Sequence, residues 1–122
     1  MSKFVCTIPN TYDFDTILNY LHNHIFDKEN FVSCEHKCDH STGGLHVAVR
    51  IYEKNYPFGK ETVGLHLTLA CAGDETLVVG VCNSSSKDIG PLVAHHEREF
   101  LESFITAAEM FEGMVPSGSS KQ

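Results

Sequence analysis

Between two amphipathic helical segments, four successive stretches of this chain alternate along their length, and that pattern constrains the fold more than any other feature. Leu45, Val47, Val49 and Ile51 form one apolar series, Val63, Leu65, Leu67, Leu69 and Cys71 another, and Leu77, Val79 and Val81 a third. Phe31 to Asp39 alternates ahead of them. A period of two is that of a β-strand with one buried and one wetter face. The links carry turn chemistry: Ser41-Thr42-Gly43-Gly44, Tyr56-Pro57-Phe58-Gly59 and Ala72-Gly73-Asp74. Connections this short make hairpins, so the sheet is expected to be antiparallel.

A strand over residues 3–8, stopped by Pro9-Asn10, precedes a helix from about Thr11 to Phe26. Asn10 or Asp13 is placed to cap that helix, and Phe14, Ile17, Leu18, Leu21 and Ile25 give it one apolar stripe. Pro91 suits the first turn of a second helix running to about Phe111. Its broad apolar face comprises Phe100, Leu101, Phe104, Ile105, Ala107, Ala108 and Phe111. Two greasy helices and a sheet with one apolar face predict an α+β domain. It has a single antiparallel sheet of about five strands, in the order β-α-β-β-β-β-α, with both helices on one face. At 122 residues there is material for one core only. The domain is expected over 1–113, and the polar, breaker-rich 114–122 reads as a flexible tail.

Nine basic residues against sixteen acidic ones leave a net charge of −7. That balance opposes a phosphate backbone, so no nucleic-acid partner is expected, nor an anionic membrane surface. No apolar run approaches the roughly 20 residues of a membrane span, and the first residues lack signal-peptide character, so a cytoplasmic setting is expected. The five cysteines, Cys6, Cys34, Cys38, Cys71 and Cys82, are an odd set without a pairing framework. They read as small buried hydrophobes.

Keeping apolar residues together sets an expected register. A turn at Ser41 to Gly44 places Cys38 opposite Val47, His36 opposite Val49 and Cys34 opposite Ile51. A one-residue slip would turn Glu35, Lys37 and Asp39 toward the core, at several kcal/mol for each unpaired charge. Cys34, His36, Cys38 and His40 are therefore expected on the helix-facing side. Cysteine and histidine are zinc ligands, so Cys38 and His40, with Cys34 or His36, make a candidate metal site. Alternate strand residues lie about 6.5–7 Å apart and zinc bonds are about 2.0–2.3 Å, so two neighbours, not all four, reach one ion. The same reasoning pairs Val49 with Leu67 and puts Glu35, Arg50 and His66 in a row on the other face. Together with the small side chains around that row, Ala48, Arg50, His66, Thr68 and Val78 become the expected contact surface of a homodimer. His95 and Glu99, four residues apart on the second helix, are a weaker pair. The letters His22-Asn23-His24 match a nuclease motif, but they fall inside an amphipathic helix. No catalytic nucleophile or phosphate-cradling glycine loop is present, so no catalytic residue and no cofactor is expected.

The segment Arg50-Ile51-Tyr52-Glu53-Lys54-Asn55-Tyr56, continuing through Val63-Gly64-Leu65-His66-Leu67-Thr68-Leu69-Ala70-Cys71-Ala72-Gly73-Asp74, resembles a family of small uncharacterised bacterial proteins, mostly Gram-positive. That resemblance implies the fold and the compartment, and assigns no functional residue. The element order is also similar to TATA-binding-protein-like and helix-grip folds. The helix-grip likeness implies a small apolar ligand between the sheet and the C-terminal helix, against Cys34, His36, Cys38, Phe100 and Phe104.

Overall fold

The computed structural model describes residues 2–9, 13–28, 30–56, 61–84, 91–109 and 115–116. The elements are β1 (Ser2–Pro9), α1 (Phe14–Lys28), β2 (Val32–Thr42), β3 (Leu45–Tyr56), β4 (Glu61–Cys71), β5 (Glu75–Ser84), α2 (Pro91–Glu109) and the two-residue β6 (Val115–Pro116). Every strand pairing is antiparallel, in the spatial order β2-β3-β4-β5-β1-β6. The α+β class, the five main strands and their order with the two helices are as the alternation predicts. Of the tail expected to be flexible, Val115–Pro116 pairs with Cys6 and Thr7, while 114 and 117–122 lie outside the described residues.

Asp13 caps α1. Its carboxylate accepts from the Asp15 amide at 3.2 Å and the Thr16 hydroxyl at 2.7 Å, and its carbonyl from the Ile17 amide at 3.1 Å. Ile17, Leu18, Leu21 and Ile25 from α1, with Phe100, Leu101, Phe104 and Ile105 from α2, are buried as one stripe each. Both helices lie on the same side of the sheet and touch one another. Phe104 meets Phe4 edge to face, with centroids 6.1 Å apart, and rests on the bare backbone of Gly80. A Cβ at Gly80 would lie 2.5 Å from the Phe104 ring, so the absence of a side chain there is what lets α2 seat.

This contact settles which side of each strand is inside. In β4 the core side is the expected one: Val63, Leu65, Leu67 and Leu69 are fully buried and Cys71 nearly so. In β5 it is Thr76, Val78, Gly80 and Cys82, and in β3 it is Ala48, Arg50, Tyr52 and Lys54. The β3–β4 register pairs Arg50 with Leu67 and Tyr52 with Leu65, one residue away from the expected match of Val49 with Leu67. Consequently Val47, Val49, Ile51, Val79 and Val81, expected in the core, stand on the side without helices. The long stems of Arg50 and Lys54 supply apolar cover on the inner side while their heads find partners at its margin.

The β2–β3 hairpin differs in a second way. Gly43 and Gly44 alone form its turn, with φ of 52° and 84°, so Thr42 pairs with Leu45 and His40 with Val47. An irregularity between Cys34 and His36 then switches sides: Cys34 pairs with Tyr52 and His36 with Ile51. Lys37 and Asp39 face the helix side, the arrangement rejected on charge grounds. Both remain exposed, because β2 is an edge strand reaching beyond the helices, and Asp39 is paired with Arg50.

Candidate functional site: the uncovered face of the sheet

The strand registers place the residues of the helix-free face in rows. One row runs Cys38, Val49, Thr68, Val79, Val5; the next runs His40, Val47, Ala70, Leu77, Thr7. On the other flank lies His36, Ile51, His66, Val81, Lys3, and beyond it Ser33, Glu53, Gly64, Asn83. Val5, Val47, Val49, Ile51, Val79 and Val81 are half-buried by their neighbours alone, while Leu45 and Leu77 are 37% and 38% exposed. The centre of the face is thus apolar, and its margins carry His36, His40, Lys3, Glu53 and Glu75. An apolar centre inside a polar rim is the anatomy of a protein interface. A sheet with one face for water would instead read polar there.

At the end of this face lies a hollow of about 200 Å³ lined by Ile51, Glu53, Thr62, Gly64, His66, Asn83 and Ser84. Its floor is Gly64, which has no side chain between Glu53 on one neighbouring strand and Asn83 on the other. The Thr62 hydroxyl donates to Asn55 Oδ1 at 2.9 Å.

On the opposite side of the sheet, the same end holds a buried polar cluster. His96, near the start of α2, donates through Nδ1 to Glu61 Oε1, and its ring lies parallel on Tyr56 at 3.9 Å. Lys54 Nζ sits 5.1 Å from the centre of the Tyr56 ring. Glu61 is 4% exposed, and its Oε2 has no hydrogen-bond partner among the described residues. The cluster fastens the start of α2 to the sheet. Its sequence signal is a charge at position 61, in phase with Val63 and Leu65 on the buried side of β4.

The residues singled out from sequence do not converge. Cys34 stays on the helix side, whereas His36, Cys38 and His40 face away, so the four are split between two faces. Among the described residues, no group of three or more His, Cys, Asp and Glu side chains is placed to hold a metal ion. Phe100 and Phe104 are fully buried under α2, over the half of the sheet away from β2, and so apart from Cys34, His36 and Cys38. Of the expected contact surface, Ala48, Arg50 and Val78 are buried beneath the helices, and only His66 and Thr68 stand on the open face. The expected row of Glu35, Arg50 and His66 gives way to a bidentate pair, Arg50 with Asp39 at 2.6 and 3.2 Å. That guanidinium holds the Asp39 carboxyl below its usual range. His95 and Glu99 do meet, at 3.2 Å, in an exposed pair. His22 lies inside α1 and bonds the Tyr52 hydroxyl at 2.7 Å. Sequence reasoning missed Glu53, Thr62, Gly64 and Asn83; the available signal was a glycine at an outward position of β4, between Thr62 and His66.

The family of unknown function DUF6054 matches residues 1–112. The chain belongs to that family. The match spans every element from β1 to α2, so the open face, the hollow and the buried cluster all lie within the DUF6054 region. No curated protein and no solved structure matches the chain. Among the described residues of this DUF6054 member, no helix is long and apolar enough to cross a membrane.

Proposed function

We propose that this DUF6054 protein is an interaction domain, rather than an enzyme, that pairs with a second copy of itself through the uncovered face of its sheet. The observation that carries the reading is the pair of apolar rows on that face, from Cys38 to Val5 and from His40 to Thr7. Five strands about 4.8 Å apart and about ten residues long present roughly 800 Å². That is close to the roughly 800 Å² per partner of a standard interface. Thr68 and Ala70 at the middle are small enough for two flat faces to approach, and aligned sheets pack at about 10 Å. A second copy supplies the matching apolar centre by symmetry.

Sedimentation equilibrium tests this. The wild-type chain is expected to be a dimer at micromolar concentration, tightening with salt as the −7 charges on each copy are screened. Val79→Asp, at the centre of the face and away from the helices, is expected to give a folded monomer. A wild-type chain that sediments as a monomer at high micromolar concentration refutes the proposal.

A further inference from the structure

The hollow at the end of the open face has a chemistry of its own. Gly64 sits at the crossing of two lines of side chains: Glu53 and Asn83 on the neighbouring strands, and Thr62 and His66 two residues away along β4. Asn83 turns its amide oxygen over the gap, 3.3 Å from where a Cβ of residue 64 would lie, and His66 Nε2 is 3.8 Å from the same point. Thr62 gives its hydroxyl proton to Asn55 Oδ1 at 2.9 Å, so it presents no donor to the hollow. Glu53 adds a carboxylate. Oxygen acceptors therefore gather around one missing side chain, and no lysine or arginine among the described residues lines the space. Ile51 forms an apolar wall beside them.

We infer that this hollow is a binding site for a small primary alkylammonium compound. A primary ammonium carries three N–H donors and one positive charge, which suits the carboxylate of Glu53 and the amide oxygen of Asn83. Its short alkyl arm lies along Ile51. The acidic balance of the chain favours the same sign of ligand and opposes an anion. The hollow is small, about 200 Å³, which suits a ligand of a few heavy atoms. The site lies at the end of the same face, beyond the two apolar rows, and is built from the residues of one copy.

Amide chemical-shift titration of the full chain with n-butylamine at neutral pH tests the site, with n-butanol and butyrate as neutral and anionic counterparts. Saturable shifts at Gly64, His66 and Asn83 are expected with a Kd of about 1 mM, in line with a ligand of so few atoms. n-Butanol and butyrate are expected to bind at least about 10-fold more weakly, the worth of one charge-assisted bond. Glu53→Gln keeps the shape, removes the charge and is expected to weaken n-butylamine by about the same factor. Gly64→Ala fills the floor and is expected to abolish the shifts. Equal response to n-butanol, unchanged affinity in Glu53→Gln, or shifts scattered over the surface without saturation would each overturn the inference. The titration is run on Val79→Asp as well as on the wild type, so failure here and failure of the pairing proposal are separate results.

Discussion

Placing an alanine at Gly80 tests the side of the sheet on which α2 lies, and every assignment to the open face depends on that side. An unhindered glycine-to-alanine change in a strand gains about 0.5–1 kcal/mol, because the unfolded chain loses freedom. Here the new methyl would lie 2.5 and 2.8 Å from two carbons of the Phe104 ring, which is fully buried and cannot swing out to water. Overpacking of this kind costs about 1–3 kcal/mol, so the net effect is a loss of about 1–2 kcal/mol. With a urea slope of about 1.5 kcal/mol per molar, the unfolding midpoint is expected to drop by about 1 M. Phe104→Leu alone leaves a cavity and costs about 1–2 kcal/mol. The double variant should cost about 1 kcal/mol less than the sum, because the shortened side chain makes room for the methyl. Gly64→Ala is the internal control: its methyl meets the movable end of Asn83 on the open face, and a change within about 0.5 kcal/mol is expected. Should Gly80→Ala be neutral or stabilising, and additive with Phe104→Leu, α2 does not rest on Gly80 and the assignment of faces is wrong.

Burial, and then the charges of Lys37 and Arg50, hold the His22 imidazole below its ordinary value of 6.5. Its neutral form is the one the fold favours, so this contribution is fully present above pH 6.5 and is lost as pH falls through that value toward the lowered one. The urea midpoint is expected to fall between pH 7.5 and 5.5, with a shallower fall in His22→Gln; identical slopes in the two proteins would show that another group is responsible. Thiol labelling distinguishes the cysteines: Cys38 is exposed, Cys34 half-buried, and Cys6, Cys71 and Cys82 are buried. Burial, with a smaller contribution from Glu109, pushes the Cys6 thiol up to about 11. One fast-reacting thiol is expected in the native chain, absent in Cys38→Ser, with Cys6 reacting only on unfolding. Fast labelling that survives in Cys38→Ser contradicts the placement of β2.

The local pattern was enough for the elements, their order and the antiparallel sheet, since period-two strands, hairpin turns and helical stripes are written in neighbouring residues. It was also enough for one strand's inner side: β4 has apolar residues at alternate positions and Thr62, Gly64, His66 and Thr68 between them. β3 and β5 have no such contrast. Val47, Val49 and Ile51 compete with Ala48 and Tyr52, and Val79 and Val81 with Val78 and Cys82, so either side satisfies the alternation. The choice fell to contacts between distant residues: Phe104 needs the bare backbone of Gly80, Tyr52 meets His22, and Arg50 reaches Asp39. A one-residue change of register moves every side chain to the other face. Tertiary packing therefore decided which valines the helices cover, which stand on the open face, and where a missing side chain leaves a hollow.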